Sequence, residues 1–428
     1  MKSLNRELGV FGATMMGLGS IVGTGVFVSI GIAAGVAGPA LMIAIVLAAM
    51  VATCNGLSSA QLAANHPVSG GTYEYGNKYL NRRVGFMAGW FFLIAKSASA
   101  ATAALGFGGY LLNFLGITDG PLVSIAFAMV MATTFVVWLG LRRSNWANIF
   151  IVSITLIALL YFILYGGLIG GAHLGREGLS PFFPEAQNLG VSMRHILEAT
   201  ALMFVAYTGY GRIATMGEEV RRPRHTIPRA IVVTLVVSAL LYVSVGLVSL
   251  MTVGAEEFAR ATAEEAAPLE VVARAFDWST GAVILAIGAM TAMLGVLLNL
   301  ILGLSRVLLA MGRRGDMPRA TARIDEDSNN PSVAVIVMGG VIAALVLLGD
   351  VRVAWSFSAF TVLLYYGITN LAALQLSDDQ RYYPRFISWA GLVACFFLAF
   401  WVEVWIWMVG LGLVALGLVW FEISRRLS

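Results

Sequence analysis

Apolar residues in this chain come neither in short alternations nor in one-sided stripes. They come in runs of about 20, the length that crosses a hydrocarbon core of about 30 Å. Cutting the runs at polar punctuation predicts twelve helices, near residues 9–35, 39–64, 84–114, 121–140, 145–170, 191–216, 229–253, 279–311, 332–349, 352–376, 384–402 and 404–424. The last two part only at the break around Glu403, so ten or eleven spans are the alternatives. Segments apolar on every face predict an all-α polytopic membrane protein.

Composition agrees. The 428 residues are 59% hydrophobic and 12% charged, against roughly 25% charged in soluble proteins. The first apolar run reaches about residue 35, too long for the core of a cleaved signal peptide. The net charge of +4 is no nucleic-acid signal, because its distribution carries the information. Nineteen Lys and Arg fall in segments on the N-terminal side of the membrane, among them Arg82, Arg83, Arg221, Arg222, Arg313 and Arg314. Only Arg176, Arg194, Arg260, Arg274 and Arg352 fall on the other side. That asymmetry predicts a cell-membrane protein with both termini cytoplasmic. The longest outer loop, about 254–278, holds Glu256, Glu257, Glu264, Glu265 and Glu270 and reads either as a solvated amphipathic helix or as a lid over a pathway.

Two spans interrupt themselves. Span 1 carries "GLGSIVGTGVF", with Gly17, Gly19, Gly23 and Gly25 in eleven residues, and span 6 carries "FVAYTGYGR", with Gly209 and Gly211. Glycine inside a helix costs roughly 1 kcal/mol relative to alanine. Spans 1–5 and 6–10 then form two five-helix halves, each opening with a broken helix; since five is odd, the second half is inverted. The predicted divisions are 1–170, 171–376 and, for helices 11 and 12, 377–428. Glycine-interrupted segments at matching positions of two halves point to a transporter's central site. An unwound stretch at membrane depth must line a protein-buried cavity. Its free N–H groups suit a carboxylate and its free carbonyls an ammonium, so a zwitterion fits between two such breaks. The competing reading is that the glycines only let helices pack closely.

Four motifs, "GSIVGTGVF" (19–27), "PVSGGTYEY" (67–75), "AYTGYG" (206–211) with "EEVRRPRHTIPRA" (218–230), and "GRRGDMP" (312–318), together resemble the amino acid–polyamine–organocation permease superfamily over nearly the whole chain. Bacterial amino acid permeases and cationic amino acid transporters look most similar. The resemblance implies a LeuT-like inverted repeat with broken helices 1 and 6, two added C-terminal helices, and alternating-access transport of amino acids. It places α-carboxylate contacts on Ser20, Gly23, Thr24 and Gly25. It places α-amino contacts on the carbonyls of Ile21, Val205, Ala206 and Thr208, with Tyr207 and Gly209 in the same stretch. Glu218 and Glu219 become an inner gate paired with nearby arginines, or else part of a solvated loop.

The sequence departs from that family at three points. The usual aromatic thin gate before "AY" is replaced by Val205, with Phe204 one residue earlier as its substitute. "GYGR" puts Gly211 and Arg212 where an acidic residue is common. Span 8 offers Leu294 and Gly295 where sodium-coupled relatives have hydroxyls, and span 5 offers Thr155 where sodium-independent ones use lysine. Sodium coupling is therefore not expected; proton symport or exchange is.

Lys96 lies deep in span 3, where a lysine costs about 2.5–3.5 kcal/mol to insert and marks function by default. It can carry a proton, stand in for a missing cation, hold an anionic group, or be structural. Asn299 and Arg306 on span 8 read as structural. Cys54 and Cys395 read as packing residues, and His66, His173, His195 and His225 have no metal or triad spacing, so neither metal nor cofactor is expected. The expected activity is transport of L-amino acids, neutral ones first because the predicted pocket holds no carboxylate, with cationic amino acid or polyamine exchange as the alternative. A channel and an intramembrane enzyme built on Lys96, Ser97 and Ser99 are the readings from other classes.

Overall fold

The computed structural model describes residues 8–427 apart from 69, 118–119, 141–144, 169–175, 184–188, 216–219, 277–278 and 326–329. Among these residues the fold is all helical; the sole β contact is a bridge between Leu8 and Val220. The first predicted span is three pieces, α1 (Val10–Ile21), α2 (Thr24–Phe27) and α3 (Ser29–Ala37). After it come α4 (Leu41–Asn65), a short α5 (Thr72–Tyr79), α6 (Arg82–Phe114), α7 (Leu122–Trp138) and α8 (Asn145–Leu168). The sixth span is α9 (Leu189–Tyr207), a 3-10 turn at Thr208–Tyr210 and α10 (Gly211–Thr215). The remainder is α11 (Pro223–Glu265), α12 (Pro268–Arg274), α13 (Ser279–Arg313), α14 (Ser332–Val346), α15 (Val351–Leu374), α16 (Arg385–Ala399) and α17 (Val404–Leu427).

Among the described residues seven helical stretches are long and apolar enough to cross a membrane. Others, such as α7 and α14, are apolar but have only 17 and 15 residues, about 25 Å or less at 1.5 Å per residue. The belt of side chains pointing away from the bundle is greasy: Phe150, Ile157, Leu240, Val393 and Met408 are all exposed. A soluble protein does not present so much apolar surface, and the chain is an integral membrane protein.

Several polar groups inside the bundle are paired across helices. Asn370 donates to Asn55, Asn55 donates to the Cys395 sulfur at 3.3 Å, and Ser58 meets Ser388 at 2.9 Å, which joins α4, α15 and α16. Cys395 is thus more than filler. At the end of the bundle that holds α5, Tyr73 donates to the buried Asp316 carboxylate at 2.8 Å and Arg82 reaches its other oxygen at 3.0 Å. Glu74 pairs with Arg314 at 2.6 Å. Two distant sequence motifs, 67–75 and 312–318, are therefore one clasp.

At the opposite end, one face of residues 255–274 is packed on the bundle. α11 kinks at Gly254 (φ 76°), a conformation glycine adopts without strain. Beyond the kink Phe258, Ala261 and Thr262 are buried, as are Leu269, Val272 and Ala273 of α12. The segment sits on the ends of α3 and α6. A Cβ on Gly31 would lie 1.9 Å from the Thr262 hydroxyl, and one on Gly109 2.2 Å from the Glu265 carbonyl. The charged face, with Glu256, Arg260, Glu264 and Glu265, stays exposed, so the segment is an amphipathic helix whose apolar face covers the bundle.

Candidate functional site

Helix α1 ends at Ile21 because the chain turns at Val22 and Gly23 before starting again at Thr24. The backbone N–H groups of Thr24 and Gly25 open the new turn, where intrahelical acceptors are lacking. Helix α9 is interrupted differently, tightening into the 3-10 turn at Thr208, whose hydroxyl donates back to the Val205 carbonyl at 2.7 Å. The two breaks touch: a Cβ on Gly209 would lie 2.5 Å from the carbonyl of Ser20.

Between them lies a cavity of about 530 Å³. Ser20, Ile21, Thr24 and Gly25 line it from the first break and Val205, Ala206, Thr208 and Gly209 from the second. Thr24 is 3% exposed, and its hydroxyl has no hydrogen-bond partner among the described residues. The amide nitrogen of Asn299, on α13, is likewise buried without a partner and lines the same cavity. Trp355, Tyr365 and Tyr366 of α15 form an aromatic wall. From the breaks the cavity runs toward the end that holds Gly70, Glu74, Arg313 and Arg314, while α12 and the end of α11 close the other.

The carbonyls freed by the breaks are already engaged. Tyr242, on α11, places its hydroxyl 3.1 Å from the Ile21 carbonyl and 2.9 Å from that of Ala206. Tyr366 donates to the Thr208 carbonyl at 3.0 Å. One hydroxyl proton cannot fill both of Tyr242's acceptors, and each carbonyl has a second lone pair. Acceptor capacity for a ligand ammonium therefore remains at both breaks. Tyr242 and Tyr366 escaped the sequence reading, since an aromatic in an apolar helix looks like any core residue.

Lys96 is 9% exposed and lines the cavity from α6, donating to the Thr208 hydroxyl at 2.8 Å. Asn299 and Arg306, read from sequence as structural, also line it.

Several expected site residues point elsewhere. Gly23 faces Val296, where a Cβ would lie 2.5 Å from the valine methyl. Phe204 is fully buried edge-on to Tyr366, ring centres 5.7 Å apart, and does not line the cavity. The aromatic wall there comes from α15. Tyr207 reaches the Ile45 carbonyl at 3.3 Å in the α4–α9 packing. Thr155 bonds its own helix at Ile151, 2.9 Å away, and does not line the cavity; Asn148, about two turns earlier on the same face of α8, donates to Met15 of α1 at 3.1 Å. Glu218 and Glu219 lie outside the described residues. The glycines serve close packing: Gly17 abuts Ile213 and Thr234, Gly19 abuts Asn148, and a Cβ on Gly25 would meet the Tyr242 hydroxyl at 2.5 Å.

No group of three His, Cys, Asp or Glu among the described residues is arranged for a metal ion. Residues 8–415 match the amino acid permease family. Among curated proteins, an uncharacterized transporter of Mycobacterium tuberculosis is 38% identical over 427 residues, covering 99% of this chain and 92% of its own. The branched-chain amino acid permease BcaP of Bacillus subtilis is 29% identical, covering 100% and 95%. Cationic amino acid transporter 4 of Mus musculus is 28% identical, covering 89% of this chain and 61% of its own. The chain belongs to the amino acid permease family, a family of membrane transporters rather than enzymes.

Proposed function

We propose that this protein is a secondary transporter of L-amino acids that works by alternating access, with its substrate held between the two helix breaks. The observation that carries the reading is the orphaned Thr24 hydroxyl beside the free N–H groups of the first break, facing the carbonyls of Ala206 and Thr208 across one cavity. Donors gathered at one pole and acceptors at the other match an α-carboxylate and an α-ammonium. The twelve helices then form two inverted halves, 1–170 and 171–376, followed by 377–428. With both termini cytoplasmic, the cavity opens inward and the packed 255–274 segment is the closed outer lid.

The relatives' names differ on side-chain charge, one being a branched-chain and another a cationic amino acid transporter. The lining supports a choice. Among the described lining residues the one carboxylate, Glu74, is engaged by Arg314, so none of them offers a free anion to a cationic side chain or a polyamine. Neutral and anionic side chains are left, and Lys96 decides between them.

Coupling in this reading is by protons or by exchange rather than by sodium. Helix α13 turns Ala292 and Val296 toward Gly23, and neither carries a hydroxyl. The test is counterflow in proteoliposomes loaded with an amino acid panel, in sodium and in choline buffers. Saturable, stereoselective counterflow equal in both buffers is expected. Flux that does not saturate or trans-stimulate indicates a channel and overturns the reading.

A further inference from the structure

Among the described residues Lys96 is a cation without an anion. It lies in the middle of α6, its side chain is almost wholly buried, and its single hydrogen-bond partner among the described residues is the uncharged hydroxyl of Thr208. An ammonium has three donors, so two are left facing the cavity. Buried charges are ordinarily paired. Elsewhere this chain follows the rule: Asp316 has Arg82, Glu270 has Arg274 and Glu198 has Arg352. The break at Thr208 is also where the substrate's ammonium is received. A plain zwitterion would bring a second cation to the one already there, and like charges at close range in a low-dielectric site repel strongly. A carboxylate between the two offsets both. Further along the same cavity Arg306 and Arg313 add positive charge, which raises the local concentration of anions at the inner mouth.

We propose that Lys96 selects amino acids with an anionic side chain, receiving the second carboxylate of a dicarboxylic amino acid such as aspartate or glutamate. The proposal rests on the reading of this cavity as the amino acid site, and it departs from the neutral side chain expected from sequence. Thr24 and the first break take the α-carboxylate, the carbonyls of the second break take the α-ammonium, and Lys96 takes the side chain.

The experiment compares near-isosteric pairs. Competition by L-glutamate against L-glutamine, and by L-aspartate against L-asparagine, is measured in counterflow for the parent, Lys96→Gln and Lys96→Arg. The parent is expected to prefer the acid of each pair by about tenfold or more, as for a buried charge-assisted contact. Lys96→Gln should bring the ratio to about one or below, and Lys96→Arg should restore part of it. A parent that prefers the amides overturns the proposal while leaving amino acid transport standing, and needs no variant to fold. A Lys96→Gln protein that keeps the acidic preference but loses its response to a pH gradient also overturns it, assigning Lys96 to proton transfer. If no amino acid competes at all, the transport reading fails, and this one with it.

Discussion

The Tyr242 hydroxyl lies 2.9 Å from the carbonyl of Ala206, in one broken helix, and the same oxygen lies 3.1 Å from Ile21 in the other. One side chain from α11 thus ties together the two discontinuities on which the site is built. Tyr242→Phe removes only that oxygen and takes its donor from the Ala206 carbonyl, while Ile21 keeps the Gly23 N–H at 3.0 Å, a cost of roughly 1–3 kcal/mol. We expect a lower melting temperature in detergent and a transport rate reduced tenfold or more. Unchanged counterflow would show that the two breaks need no tie.

Thr24→Val should behave in the opposite way. The Thr24 hydroxyl makes no bond within the protein, so its loss costs no native contact. Stability should stay level or rise, while substrate affinity falls about fivefold to tenfold, the worth of one hydrogen bond of about 1 kcal/mol. Isothermal titration alongside a melting curve separates the two readouts.

Gly25→Ala and Gly209→Ala test packing rather than ligand contact. The added methyl would meet the Tyr242 hydroxyl in one case and the Ser20 backbone in the other, each at 2.5 Å. Overpacking of this kind costs about 1–3 kcal/mol, more where backbone cannot yield. Gly209→Ala should be the worse, seen as a larger loss of folded protein by size-exclusion chromatography. Gly167, which has nothing within 4 Å of its Cβ position, is the control site.

The segment around α12 should respond to external pH. Glu270, outside the membrane spans, is 3% exposed, and burial raises its carboxyl above the ordinary value of 4.5, although Arg274 opposes the shift at 2.9 Å. A raised value means that the packed lid holds the proton more tightly than an opened, solvated one. Lid closure is therefore favoured at low pH and weakened as pH rises through the packed-state value. Hydrogen exchange of residues 255–274, corrected for intrinsic rates, should be faster at pH 8 than at pH 5. Glu270→Gln, which cannot ionise, should remove most of that difference.

How far the sequence reveals this molecule depends on whether a feature is linear. Glycines inside an apolar run are a one-dimensional signal, and they marked Ser20, Ile21, Thr24, Val205, Ala206 and Thr208, all of which meet at one cavity. Lys96 stood out because lysine is rare at that depth. Facing direction is another matter. Adjacent helical residues differ by about 100°, so Val205 reaches the cavity while Phe204 packs on Tyr366. Thr155 likewise does not line the cavity, its hydroxyl turning back to its own helix. Tyr242 and Tyr366 act through the carbonyls of remote segments, a relation that no local spacing encodes. The lid was ambiguous because an amphipathic helix shows a greasy face without showing what covers it.

The central claim is that donors at one break and acceptors at the other hold a zwitterion. Its most direct measurement is competition in counterflow by the best substrate, by its α-methyl ester and by its decarboxylated amine. The account predicts that only the intact amino acid competes, each altered form losing affinity by about tenfold or more, since each leaves one set of buried polar groups unmatched. An ester or an amine that competes as well as the parent compound would contradict it.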